Sequence, residues 1–374
     1  MGRRLPLRLS QSGAPLRAAP LFAIGPAAPG PTLRRGFLVA IPVGLAMAVE
    51  LGLGGPTKGG VATGALLAGF PAIDAPARVR AGWQAAVAPL VGAAAALGAL
   101  TGSSAALAIP TMAVVGAAAG YCFAVSPRLA IFGLSVALSL LIAQGLPLEA
   151  ADALPAFFCA TGGGLLQAAF SLLVYAAGDR AAEEEGWSTA TARDRLRANL
   201  RIDSVNARHA LRFGAALATG VAAYWALGME DHGFWIPLTV LFVLRPEREA
   251  TMDRLVLRAV GTGFGLVLAT ALSLWLNDHG LALAAALTVA TGFAYGLLTV
   301  QYALFTAAVT TYAVLLADTL GAPALSAAGQ RAVATAIGIL ISAAAFLAWS
   351  NPGEVGESEP RESRRPAPSG RFPG

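Results

Sequence analysis

Apolar runs of about 17 to 22 residues, separated by short islands of charge, recur along almost the whole of this 374-residue chain. At 1.5 Å of rise per residue each run is a helix able to cross about 30 Å of hydrocarbon, and a soluble core has no use for a dozen of them. Only 13% of residues are charged against 56% apolar, roughly half the charged share of a soluble domain. Spans are expected near residues 35–53, 59–71, 84–100, 105–124, 127–146 and 154–177, and again near 208–228, 232–244, 259–276, 280–298, 301–317 and 328–349. The expected fold is all-α: a polytopic membrane protein of about 12 transmembrane helices. Residues 1–33 and 351–374, rich in Arg, Pro, Gly and Ser, read as disordered cytoplasmic tails.

Charge placement gives an orientation. With the N-terminus in the cytoplasm and each span crossing once, all of the 26 Lys and Arg except Lys58 and Arg331 fall on the cytoplasmic side, as the positive-inside rule requires. The loops holding Glu149, Asp152, Glu230, Asp231, Asp278 and Asp318 then face outward. Residues 178–207 form one long cytoplasmic linker, with Glu183 to Glu185 followed by Arg193, Arg195, Arg197 and Arg201. The basic excess is a topology signal in such a chain, and no nucleic-acid partner is expected.

Shifted by 174 residues, the chain aligns with itself: Arg34 with Arg208, Gly54 with Gly228, Arg80 with Arg254, Tyr121 with Tyr295, Thr161 with Thr335 and Gly164 with Gly338. One gapless offset over about 130 residues argues for a duplicated six-helix unit, residues 34–177 and 208–350, entering the membrane as parallel repeats. A pathway between the halves is the natural consequence. In each half the second span is short, Gly59 to Pro71 and His232 to Leu244, and short segments at matching positions point to a transport site.

Enzyme chemistry finds no support. Cys122 and Cys159 lie in apolar runs, His209, His232 and His279 lack ligand spacing, and no carboxylate pair sits inside a span. The Gly-Thr-Gly-Phe-Gly run at 261–265 has no preceding strand and no Lys, so its glycines serve helix packing. No metal and no cofactor is expected.

The segments Asn199-Leu200, Arg208-His209-Ala210-Leu211-Arg212, His232-Gly233-Phe234-Trp235-Ile236-Pro237-Leu238-Thr239, Arg245-Pro246, Thr251, Arg254, Arg258 and Gly261-Thr262 resemble the fusaric acid resistance family, which is similar to bacterial aromatic acid exporters. The pattern continues through Arg331-Ala332, Thr335 and Gly338. The first half matches only through the repeat: Lys58-Gly59-Gly60 stands where His232-Gly233-Phe234 would be, and no Trp corresponds to Trp235. The resemblance implies an inner-membrane transporter exporting aromatic or other small organic carboxylates. Its partners are then a small organic anion, the lipid bilayer and further copies of the chain in a homo-oligomer. An organic-anion channel or uniporter, and a non-transporting protein of interaction or envelope maintenance, are the competing readings.

An anion crossing hydrocarbon needs compensating charge at its constrictions. Arg331 is the one Arg assigned to the outer half of the membrane, and it either snorkels to the interface or faces the anion. His232 and Trp235 share a helical face at the start of the short eighth span, Pro237 frees a backbone carbonyl there, and Thr239 adds a hydroxyl. Tyr121 and Tyr295 complete the expected pathway, with Gln301, Tyr302, Thr306, Thr310 and Thr311 as further intramembrane polarity. Arg245, Arg254 and Arg258 form an expected cytoplasmic vestibule that collects anions by steering, or else fix topology by pairing with Glu247, Glu249 and Asp253.

Overall fold

The computed structural model describes residues 29–52, 60–176, 204–229, 233–246, 248–276, 280–319 and 323–348. Most of the expected tails and of the 178–207 linker lie outside these residues. The chain is all-helical, with no strand among the described residues. Among the described residues twelve α-helices follow one another: α1 (Pro29–Gly52), α2 (Gly60–Gly69), α3 (Ala77–Thr101), α4 (Ala105–Tyr121), α5 (Pro127–Gly145), α6 (Ala153–Ala176), α7 (Val205–Ala226), α8 (Trp235–Val243), α9 (Arg248–Leu276), α10 (Gly280–Leu297), α11 (Tyr302–Thr319) and α12 (Ala324–Ala348). Two boundaries drawn from sequence move: α1 begins before residue 34, and Ser204 already caps α7.

Local chemistry starts several of these helices. The Ser126 hydroxyl accepts from Leu129 N at 3.1 Å, and Pro127 opens α5 where its missing N–H costs nothing. Ser204 does the same for α7, accepting from Ala207 N at 3.1 Å. The start of α2 is capped from another helix: the buried Glu50 carboxylate, near the end of α1, accepts from Val61 N at 2.9 Å and Ala62 N at 3.4 Å, placing negative charge at the positive end of the α2 dipole.

Among the described residues seven helices are long and apolar enough to cross a bilayer: α1, α3, α4, α5, α6, α9 and α12. That is fewer than the about 12 expected. α10 and α11 are shorter apolar helices, and α7 opens on Arg208, His209 and Arg212. α2 and α8, at 10 and 9 residues, rise only about 15 Å, half the hydrocarbon thickness. Both are wrapped by longer helices, α2 by α1 and α6 and α8 by α7 and α12. All nine residues of α8 are buried. Large apolar side chains face outward instead on the long helices, among them Val333, Leu340 and Leu347 at seven-residue intervals on α12, a stripe suited to lipid.

Helix bounds in residues 205–348 fall within about three residues of those in 29–176 shifted by 174. The principal contacts between the two sets are α1 with α10 and α4 with α7. Both seams are made of small residues: Gly36 lies against Gly292 and Gly296, and Gly120 against Ala210 and Phe213, so backbones approach closely and dispersion contact replaces any hydrophobic drive. At one end of the bundle Arg35 donates to the Asp74 carbonyl at 2.6 Å and Arg128 pairs with the Asp74 carboxylate at 3.3 Å. The start of α1, the α2–α3 turn and the start of α5 therefore share one side.

Candidate functional site

Two of the four buried arginines among the described residues, and the half-buried Arg245 and Arg254, donate to backbone oxygen. Arg80 donates to the Ala75 carbonyl at 3.0 Å and to Ser171 Oγ at 3.3 Å. Arg212 donates to the Arg245 carbonyl at 3.0 Å and lies 4.7 Å from the Phe346 ring centre. Arg254 donates to the Phe242 carbonyl at 3.2 Å and stacks 4.3 Å from the Tyr302 ring centre. Arg245 donates to the Leu244 carbonyl at 3.2 Å. Arg245 and Arg254 thus bind carbonyls at the C-terminal end of α8, where the helix dipole favours cations.

Two arginines break this rule. Arg258 on α9 and Arg331 on α12 are both 0% exposed, and no nitrogen of either guanidinium has a hydrogen-bond partner. No described carboxylate is among the groups acting on them, and the Arg258 charge acts on Arg331. The Tyr302 hydroxyl, which donates to the Phe242 carbonyl at 3.1 Å, acts on both guanidiniums. Each rests instead on an aromatic face of α8: Arg331 is 5.3 Å from the Trp235 ring centre and Arg258 is 5.5 Å from that of Phe242. Those rings are seven residues apart, two turns and about 10 Å along one face of α8. A cation–π contact offsets only about 2 kcal/mol even when desolvated, whereas a buried, uncompensated ion costs several kcal/mol.

The same helices carry a set of buried hydroxyls without partners. Arg258 and Thr262 are one turn apart on α9, as are Arg331 and Thr335 on α12 and Thr306 and Thr310 on α11. All four Thr Oγ1 atoms are buried and unpaired. The chain is arranged to let them gather. A side chain at Gly261 would strike Ala303 and Thr306, and one at Gly265 would strike Ala307 and Thr310, so α9 and α11 touch through their backbones. Gly338 likewise lets α12 close on Ile236 and Thr239 of α8. Four helices of one half therefore surround a polar seam with two positive charges and no negative one among the described residues.

An apolar cavity of about 120 Å³ lies between the two halves, lined by Leu66, Phe70, Phe234, Trp235, Phe242 and Tyr312 among others. Trp235 and Phe242 belong to both surroundings, touching the guanidiniums and lining the cavity.

The residues expected from sequence divide accordingly. Trp235, Arg258 and Arg331 meet at the seam, and Arg331, 0% exposed and seven residues into α12, does not snorkel. Arg258 leaves the expected vestibule group for the interior, while Arg245 and Arg254 remain at the α8 end. Asp253 is exposed and pairs with neither Arg254 nor Arg258. Thr239 donates to the Trp235 carbonyl at 3.1 Å, so its hydroxyl re-satisfies backbone. Pro237 falls in the first turn of α8, where a missing N–H is tolerated. The Gly233 carbonyl it could have left open accepts from Ile236 N at 2.9 Å. Tyr295 lies elsewhere, donating to the Leu66 carbonyl at 2.7 Å and packing edge-on to Phe70. Tyr121 is half-buried at the end of α4. His232 lies outside the described residues. Thr262 and Thr335 were not singled out from sequence, although the Arg-x-x-x-Thr spacing on two helices was there to be read.

Residues 217–345, which hold this seam, match the model of the family described as fusaric acid resistance protein-like. The chain is 36% identical over 153 residues to the inner membrane protein YccS of Escherichia coli, covering 40% of this chain and 21% of that one. It is 34% identical over 151 residues to the uncharacterized protein slr1298 of Synechocystis, covering 40% of this chain and 20% of the other. The chain thus spans about a fifth of the length of these relatives. No solved structure matches it significantly. Among the described residues seven helices are long and apolar enough to cross a membrane, and the similarity to an inner membrane protein agrees with that composition.

Proposed function

We propose, with the fusaric acid resistance protein-like character of residues 217–345 as the premise, that this chain is an inner-membrane transporter moving aromatic or other small organic carboxylates outward. One observation carries the reading: Arg258 and Arg331 are fully buried guanidiniums with no described counter-charge or hydrogen-bond partner. Leaving two such cations unsatisfied is costly for the fold alone, and a passing anion compensates them. The planar fork of each matches a carboxylate. The apolar cavity beside Trp235 and Phe242 suits the carbon body of the same molecule.

A frame for this transporter follows from the same facts. The two six-helix sets are parallel repeats, supported by the constant 174-residue offset of helix bounds and by the reciprocal packing of α1 on α10 and α4 on α7. Both termini are cytoplasmic, supported by the basic residues and by the shared side of Arg35, Asp74 and Arg128. Channel-like or uniport movement is favoured over proton coupling by the lack of any described carboxylate acting on the two arginines.

Reconstitution into liposomes tests the reading. Loaded vesicles should release benzoate or a hydroxybenzoate in a saturable, Arg258-dependent way. Absence of any flux at confirmed insertion would instead favour a non-transporting membrane role.

A further inference from the structure

We infer that the seam binds one ligand carrying two negative charges, a dianion held by Arg258 and Arg331 together. The inference rests on the anion-transport reading above and narrows its substrate class. The argument is one of charge number. A monoanion compensates one buried guanidinium and leaves the other uncompensated in the same low-dielectric enclosure, still repelled by the first. A dianion compensates both. The two guanidiniums lean on Trp235 and Phe242, two turns apart on a single face of α8, so each end of a short dianion meets its own fork. Thr262 and Thr335 each lie one turn along their helix from an arginine, and with Thr306 and Thr310 they offer unpaired hydroxyls to the same ligand.

The first half supplies an internal control. Shifted by 174 residues, Arg258 corresponds to Gln84, Arg331 to Phe157, Thr262 to Ala88, Thr306 to Phe132 and Thr310 to Val136, while Thr335 corresponds to Thr161, whose hydroxyl is likewise buried and unpaired. There Gln84 Oε1 accepts from Ser171 Oγ at 2.7 Å, and no buried cation at those positions awaits a partner. Without the two charges, α3 and α6 pack far more closely on each other than their counterparts α9 and α12 do. The site is single, and it lies within residues 235–335 instead of between the halves.

The test uses the full chain in lipid nanodiscs at neutral pH, with calorimetry against benzoate, terephthalate and inorganic phosphate. Benzoate and terephthalate share a ring and differ by one carboxylate. Terephthalate should bind once per chain and at least ten-fold tighter than benzoate. Arg258→Gln, which leaves one cation, should erase that preference or invert it toward benzoate, a switch that mere structural damage does not produce. Should the variant fail to fold, the comparison on the parent chain decides alone. Benzoate binding as tightly as terephthalate, or two benzoates per chain, overturns the two-charge assignment while keeping the carboxylate reading. Phosphate binding in preference to both keeps the two-charge assignment and removes the carboxylate reading. Binding of none of the three removes both.

Discussion

The guanidinium of Arg331 stands 5.3 Å from the centre of the Trp235 ring, with both side chains at most 2% exposed. Arg331→Gln removes the charge at similar size, and Arg331→Lys keeps it but loses the planar fork. At matched membrane levels, carboxylate flux in the Gln variant should fall at least about ten-fold, the scale of one lost charge-assisted hydrogen bond, with Lys retaining part of it. Equal flux in parent and both variants would remove Arg331 from the pathway.

Thr262 and Thr335 should act through their hydroxyls alone. Replacement by Val keeps shape and takes away a donor that has no protein partner, so neither change should lower the melting temperature. Each should weaken anion binding several-fold, as expected for about 1 kcal/mol of hydrogen bonding. Thr239→Val is the contrast, because that hydroxyl already serves the Trp235 carbonyl. It should perturb α8 and leave ligand affinity much less changed. A stability loss at Thr262 or Thr335 without an affinity change would contradict the assignment.

Orientation is open to chemical labelling. With Cys122 and Cys159 first replaced, a cysteine at Asp74 should react with an impermeant maleimide only after cells are permeabilised. One at Glu149, exposed at the opposite loop set, should react in intact cells. The Asp74 side chain is 58% exposed, so losing its ion pair costs little. The reverse labelling pattern would invert the topology.

Tyr295 provides a stability measurement separate from transport. Its hydroxyl is buried and donates to the Leu66 carbonyl across the two helix sets. Tyr295→Phe should cost about 1 kcal/mol, or somewhat more if the carbonyl stays unsatisfied, seen as a lower melting temperature with unchanged binding at the seam. A change in anion affinity instead would bring Tyr295 back into the pathway.

The positions of the described helices were legible in the sequence because an apolar run and a charge island are local signals, and the 174-residue offset carried through to their bounds. What sequence could not separate was the depth of each arginine. Arg254 and Arg258 are neighbours on one helix, yet one ends on a carbonyl and the other on nothing, a difference decided by α8 and α11 packing against them. Pro237 shows the converse error: its effect depended on where α8 begins, and helix starts are blurred in sequence by a few residues. Thr262 and Thr335 entered the sequence reading as parts of a pattern and not as site residues, because a threonine in a span is usually satisfied by its own helix, as Thr239 is. Only the assembled structure tells which are not.

The seam between α1 and α10 joins Gly36 to Gly292 and Gly296, so one side of it is synthesised long before the other. At translation rates of about 5–20 residues per second, the α1 groove waits on the order of tens of seconds for its partner. The α4 seam waits less, since Ala210 and Phe213 follow Gly120 sooner. During that interval α1 presents a run of small residues to the surrounding lipid, available to any newly inserted helix with a matching face. Correct assembly therefore depends on α1 remaining unclaimed until its own late partner arrives, and the last third of the chain governs the fate of the first.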